Sequence, residues 1–125
     1  MAVIHPLLMI VPEGASKHVF QGNGHPWQKP IFQPANAVDA MALVRRSAWE
    51  AVGGYVHIPG GWEDYDFWCT LIDHGWTGVQ CPQVLGCYTH HEVSMTARTA
   101  LPNVSRLQKV LKERHPWLYC DNPTP

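Results

Sequence analysis

The stretch PGGWEDYDFWCTLIDHG, residues 59–75, places three carboxylates within four positions and surrounds them with aromatic side chains. From Asp64 onward, apolar residues recur at the spacing of one helix face. These residues are Phe67, Trp68, Leu71 and Ile72. Gly75 follows, and glycine commonly ends a helix. The stretch therefore predicts a short helix that begins in a cluster of acids and buries an aromatic face.

Upstream of this helix, two apolar segments indicate strands. Ala2 to Val11 is the first, and Ala37 to Val44 is a run of small and branched residues that suits a buried, central strand. Between them, residues 21–36 contain too many glycines and prolines for regular structure, so we expect a long ordered loop.

A second helix is predicted directly after the central strand. Ser47 and Glu50 have the spacing of a capping box, in which each side chain bonds to a free backbone amide. Gly53-Gly54 then ends the helix within about two turns.

Downstream of the acidic helix, Trp76 to Cys81 and Val84 to Thr89 both alternate like strands. Pro102-Asn103 opens a last helix, which ends at His115-Pro116. The alternation predicts an α/β fold with a mixed sheet flanked by helices, although the elements are too few for a complete doubly wound sheet. We expect residues 1–125 to form a single domain.

The composition excludes several classes of function. Nine basic and ten acidic residues leave a net charge of −1, and no basic patch stands out, so nucleic acid is not expected as a partner. The longest apolar run, Leu7 to Val11, is too short to span a membrane. The four cysteines lack the CxxC spacing of a zinc site, and no secretory leader is seen. We therefore expect a cytoplasmic protein with reduced thiols.

The acidic cluster has two interpretations. Carboxylates in a first helical turn bond to free amides and complement the helix dipole, and we expect this role for Asp66. The preceding residues favour a binding site, because Gly60 and Gly61 allow a ligand to approach the backbone and Trp62 offers a flat face for a sugar ring. A carboxylate beside them is placed to accept a proton from a hydroxyl group.

The chain resembles family 2 glycosyltransferases with the GT-A fold in three ordered motifs. The motifs are Gly61–Trp68 with Leu71 and Gly75, Asp39–Ser47 with Glu50 and Val52–Tyr55, and Tyr88–Met95. The resemblance covers about residues 36–97, with a weaker similarity over Arg114–Leu118.

The resemblance implies roles for individual residues. Asp64 matches the base that deprotonates the acceptor hydroxyl as it attacks the anomeric carbon with inversion. Glu63 matches the neighbour that holds the acceptor, and Trp62 matches a position that lines the acceptor site. His91 matches the histidine that ligates the divalent cation or contacts the diphosphate.

The sequence also departs from the family pattern. The nucleotide-binding half of the family carries a DxD motif, but the one Asp-x-Asp here, Asp64-Tyr65-Asp66, belongs to the base motif. About 35 residues precede Asn36, which is too few for that half. We therefore expect the C-terminal, acceptor-side portion of a catalytic domain, an incomplete GT-A-like fold that is inactive in isolation.

The implied ligands follow from this family. They are a nucleotide-sugar donor, a sugar or lipid-linked acceptor, and Mn²⁺ or Mg²⁺ in the full-length enzyme. An incomplete sheet would leave an apolar face, so we expect a homo-oligomer. Two alternatives remain: a non-catalytic carbohydrate-binding module of the same fold, and a small metal protein that uses His90, His91, Glu92 and cysteines.

Overall fold

The computed structural model describes residues 1–12, 14, 20–22, 25–90 and 101–119. Within them, strands run over Val3–Pro12 (β1), Phe20–Gly22 (β2), Leu43–Val44 (β3) and Gly78–His90 (β4). The α-helices of this part are Arg46–Ala51 (α1), Glu63–Asp73 (α2) and Val104–Arg114 (α3). Short 3₁₀ helices cover Lys29–Phe32 and Leu101–Asn103.

β1 is the central strand of a mixed sheet. It pairs in parallel with β4 from Val3 to Pro12, and it pairs antiparallel with β2 and with β3. Because β4 occupies one edge of β1 along its whole length, β2 and β3 share the opposite edge. Strands and helices thus form a small α/β unit with a mixed sheet, which confirms the predicted class at this level. The predicted first strand is confirmed as β1.

The prediction of a central strand over Ala37–Val44 is wrong. Only Leu43 and Val44 pair with β1, and they lie at an edge of the sheet. The cause is local: the side chain of Asn36 accepts a hydrogen bond from the Val38 amide (3.2 Å). Asp39 does the same for the Met41 amide (2.8 Å). Such side-chain bonds to the backbone two residues on compete with the ladder of a strand.

The two strands predicted downstream form one strand, β4. Its pairing with β1 shifts register after Cys81, which lies opposite Pro6, because Val84 is the next paired residue, opposite Leu7. Pro82 falls in the skipped pair and has no backbone N–H to donate to a ladder. The predicted break is therefore an irregularity within a single strand.

The capping box predicted for the second helix is absent. α1 begins at Arg46, with Arg45 as its N-cap residue, and no side chain caps it. Ser47 therefore lies inside the helix, and Glu50 accepts a hydrogen bond from Arg46 one turn earlier (2.9 Å). The predicted end is confirmed, since Gly53 and Gly54 follow the helix with φ of +82° and +74°.

The core lies between one face of the sheet and the helices. α2 contributes its predicted apolar face, and Trp68 is fully buried with its indole N–H donating to the Val38 carbonyl (3.0 Å). The other buried apolar residues include Val3, Phe32, Ala48, Ile58, Tyr65, Phe67, Leu71, Leu107 and Leu111. This single cluster joins β1 to all three described α-helices.

The other face of the sheet is apolar and partly exposed. Ile4 pairs with Leu43 on one side and with Val79 on the other, so these three side chains share that face. Leu43 is 69% exposed and Val79 is 42% exposed, whereas Val3 points the other way and is 1% exposed. In the described part of the chain, the core therefore forms on the Val3 face.

A buried carboxylate joins α2 to the end of α3. Asp66 is 1% exposed, and it accepts hydrogen bonds from Arg114 (2.6 and 3.1 Å) and from His115 (2.7 Å). The other ring nitrogen of His115 bonds to Asp73, which also accepts a hydrogen bond from the indole of Trp117 (2.7 Å). Asp66 lies in the first turn of α2, as predicted, but its carboxylate binds α3 rather than the free amides of its own helix.

These bonds shift the pKa of both groups. Burial alone would raise the pKa of Asp66, but the hydrogen bonds from His115 and Arg114 outweigh it and hold that pKa below its ordinary value. Burial alone would lower the pKa of His115, but the bonds to Asp66 and Asp73 outweigh it and raise that pKa. The ion pair therefore persists to higher pH than the ordinary pKa of histidine would allow.

We expect the free energy of unfolding to fall as the pH rises from about 6.5 to 8. A raised pKa of His115 stabilises the fold fully below the unfolded value of about 6.5, and this contribution is lost as the pH rises through the folded pKa. Asp66 has a lowered pKa, so its contribution to the free energy of unfolding is lost only at acidic pH, below this range. His5, whose pKa burial lowers, affects stability only below about pH 6.5.

Urea unfolding at several pH values between 6.5 and 8 measures this slope. The variant His115→Gln should show a clearly smaller decrease, while His25→Gln, at an exposed position, should keep the wild-type slope. Equal slopes in wild type and His115→Gln would show that the pair does not stabilise the fold in its charged form.

Candidate functional site

The loop that leads into α2 has an unusual backbone. The Gly61 amide bonds to the Ile58 carbonyl (3.1 Å), which closes a tight turn through Pro59 and Gly60. Gly60, Gly61 and Trp62 then follow with φ of +103°, +114° and +68°. Glycine adopts such angles freely, whereas a side chain in the left-handed region costs about 1–2 kcal/mol. The structure therefore places strain at Trp62, directly before the acidic residues.

α3 supports this loop from outside. The guanidinium of Arg106 donates a hydrogen bond to the Pro59 carbonyl. A Cβ atom added to Gly60 would lie 2.6 Å from Nη2 of Arg106, so a side chain at this position would force the guanidinium to shift. Asp66 fixes the end of α3 to α2. α3 therefore contacts both α2 and the loop that precedes it.

Glu63 is engaged with the loop. Its Oε1 accepts a hydrogen bond from the Ile58 amide at 3.4 Å and lies 3.4 Å from Nδ1 of His57. The side chain is 31% exposed, so its carboxylate still reaches solvent. Glu63 therefore closes the turn, and the acceptor-holding role implied by the resemblance stays a prediction.

Asp64 is the acid of the cluster whose surroundings suit proton transfer. It is half-buried, and Oδ2 accepts a hydrogen bond from Nδ2 of Asn36 (3.2 Å). Burial raises its pKa, the amides of Tyr65 and of Asp64 itself act against this, and the charges of Asp39 and Glu63 raise it further. The net shift is upward, which makes the carboxylate a stronger base than an ordinary surface aspartate.

Aromatic side chains precede and follow Asp64 along the chain. Trp62 packs against Tyr65 with ring centroids 5.6 Å apart, and Tyr55 packs against Phe67 at 4.7 Å. Tyr55 is 49% exposed. Burial raises the pKa of its phenol, and the charge of Asp64 adds to this, which places the two groups close together.

The predicted site residues fall into two groups. Gly60, Gly61, Trp62, Glu63 and Asp64 form one continuous loop and helix start, as the motif indicates. His91 lies outside the described residues, so its role as a metal ligand stays a prediction.

Sequence patterns did not indicate Asn36, Asp39 and Tyr55 as neighbours of Asp64. An Asn and an Asp three positions apart at the start of a predicted strand were a signal for turns, because both residue types bond readily to nearby amides. The position of Tyr55 depends on tertiary packing and leaves no such signal.

The described residues offer few ligands for a divalent cation. Among the described residues, no three His, Cys, Asp or Glu side chains come together as a metal site. Cys69, Cys81 and Cys87 are free thiols, and Cys120 lies outside the described part. These residues by themselves do not fit the implied cation.

Comparisons with known proteins return no relatives. No protein-family model matches the sequence, and neither a curated protein nor a solved structure matches it significantly. In the part of the chain that the structure describes, no helix is both long and apolar enough to cross a bilayer.

Two glycines at the ends of this region yield a stability prediction. Gly75 has φ of +80°, and no atom lies within 4 Å of the position that a Cβ would occupy, so Gly75→Ala should cost only backbone strain, about 1 kcal/mol. Gly60→Ala should cost about 2–3 kcal/mol, because strain at φ of +103° adds to the displacement of the Arg106 guanidinium from the Pro59 carbonyl. Urea unfolding of both variants measures the difference.

A double-variant cycle with Arg106→Ala is the control. Removing the guanidinium removes the collision, so Gly60→Ala should cost less in that background. The same cost in both backgrounds would mean that Arg106 does not constrain the loop.

Proposed function

We propose that this chain forms the acceptor side of an inverting glycosyltransferase of family 2 with the GT-A fold. The observation that carries the proposal is that the three carboxylates of the acidic cluster have different partners. Asp66 binds α3 and Glu63 binds the loop, while Asp64 has a raised pKa and aromatic neighbours. The motifs over residues 36–97 support the same conclusion.

In the proposed reaction, Asp64 accepts the proton of an acceptor hydroxyl as that oxygen attacks the anomeric carbon of a nucleotide-sugar. The bond from this carbon to the nucleoside diphosphate breaks on the opposite face, and the diphosphate leaves with the electron pair. The configuration therefore inverts. Trp62, with Gly60 and Gly61, lines the acceptor side, and the sugar or lipid-linked acceptor approaches across this loop.

The proposed donor-binding half of the site lies outside the residues that the structure describes. We expect the nucleotide-sugar to bind residues that carry a DxD motif. Mn²⁺ or Mg²⁺, with His91 as one ligand, would supply stabilisation of the negative diphosphate. The 125-residue chain by itself should bind acceptor and transfer little or no sugar.

Asp64→Asn tests the proposed base. In a polypeptide that carries both halves of the site, the rate of transfer should fall by about 10²–10⁴-fold, because the amide cannot accept the proton. Donor affinity should change little, since the donor lies on the other half. Initial rates with a radiolabelled nucleotide-sugar, and donor binding by calorimetry, measure the two quantities.

Asp66→Asn is the matched control within the same cluster. It should lower the free energy of unfolding by about 3 kcal/mol, because it breaks a buried ion pair, while the folded protein keeps most of its rate. If Asp64→Asn transfers sugar at the parent rate, Asp64 is not the base. If acceptor sugars bind the chain but no polypeptide containing it transfers sugar, the carbohydrate-binding module is the better interpretation.

We propose further that the chain self-associates through the exposed face of its sheet. Leu43 and Val79 lie on either side of Ile4 on this face, and a depression of about 280 Å³ opens between the starts of β1 and β3. A second copy would remove this apolar surface from water.

Sedimentation tests this association. The wild-type chain should sediment as a dimer or larger species, and Leu43→Lys should shift it toward the monomer. Val56→Lys, at an exposed apolar position in the loop before α2, should leave assembly unchanged. A wild-type monomer at high concentration would contradict the proposal.

A further inference from the structure

The segment before β3 is fastened to α2 by two buried side chains. The hydroxyl of Tyr65 donates to the Phe32 carbonyl, and the indole of Trp68 donates to the Val38 carbonyl at 3.0 Å. Phe32 and Val38 are themselves buried. Residues 32–38 are thus held against the helix that carries Asp64, at points on both sides of Asn36.

The side-chain amide of Asn36 bonds at both of its ends. Oδ1 accepts a hydrogen bond from the Val38 amide, and Nδ2 donates to Oδ2 of Asp64, each at 3.2 Å. The Val38 N–H can bond only to the oxygen end, so it fixes which way the amide group points. The nitrogen end therefore faces the carboxylate of Asp64.

We propose that Asn36 is a positioning residue for Asp64. By donating to Oδ2, it fixes the orientation of the carboxylate that receives the proton of the acceptor hydroxyl. This inference rests on the proposed role of Asp64 as the base, and it adds a residue that the motif of the acidic helix does not contain.

Other charged and polar groups act on the same carboxylate. Asp39 follows Asn36 in the same segment, and Glu63 precedes Asp64 in α2; both raise the pKa of Asp64 through their negative charge. Tyr55 approaches from the loop after α1, and His57 lies beside Glu63. A hydrogen bond to the charged form acts in the opposite direction from the two carboxylates. Asn36 and Asp39 should therefore have effects of opposite sign.

Carbon-13 NMR titration of the Asp64 carboxyl in the 125-residue chain tests the contact without any need for activity. Asn36→Ala should raise the pKa by about 0.5–1, because the charged form loses a donor. Asn36→Asp keeps an acceptor for the Val38 amide but replaces the donor by a negative charge, so it should raise the pKa at least as much. Asp39→Asn should lower it. An unchanged pKa in both Asn36 variants would overturn the proposal.

Kinetics of the polypeptide with both halves test the consequence. Asn36→Ala should lower kcat by about 10-fold to 100-fold through loss of alignment, with little change in KM for the donor. Asp64→Asn distinguishes the two proposals: if it leaves the rate unchanged, the proposed function fails, whatever the titration shows. If Asp64→Asn abolishes transfer but Asn36→Ala keeps the parent kcat, the function stands and the positioning role is overturned.

Discussion

The structure depends on one buried carboxylate. Asp66 has almost no access to water, and a charge in that position is tolerated only because Arg114 and His115, at the end of α3, satisfy it. Once α3 is fixed in this way, Arg106 reaches the Pro59 carbonyl and supports a loop whose next three residues all have positive φ. That loop and the first turn of α2 together form the candidate site. Its local strain is therefore maintained by contacts elsewhere in the fold, an arrangement that is common where a chain forms a functional site.

The acids of the cluster differ because their neighbours differ. Asp66 bonds to Arg114 and His115 and has a lowered pKa, whereas Asp64 is partly buried near the charges of Asp39 and Glu63 and has a raised pKa. Closely spaced residues of the same type can thus perform separate tasks, one structural and one suited to accepting a proton. This contrast, rather than the number of acids, supports the proposed role of Asp64 as a base over a simple helix cap.

The sequence by itself determined the elements whose signals are local. The apolar period of α2, the glycines after α1 and α2, and the apolar run of β1 each predicted their element, because helix and strand periodicity are properties of short segments. The sequence also predicted that residues 60–64 lie together, since consecutive residues of a loop and a first helical turn stay neighbours in any fold.

Tertiary structure decided what those residues do. The segment around Asn36 and Asp39 has the composition of a central strand, but side-chain bonds to its own amides, and anchoring by Tyr65 and Trp68, make it a turn beside Asp64. The partners of the buried carboxylate lie almost fifty residues away, and no local pattern announces a bond across that separation. Burial and electrostatic environment arise only when distant segments pack, which is why the role of each acid could not be read from its spacing.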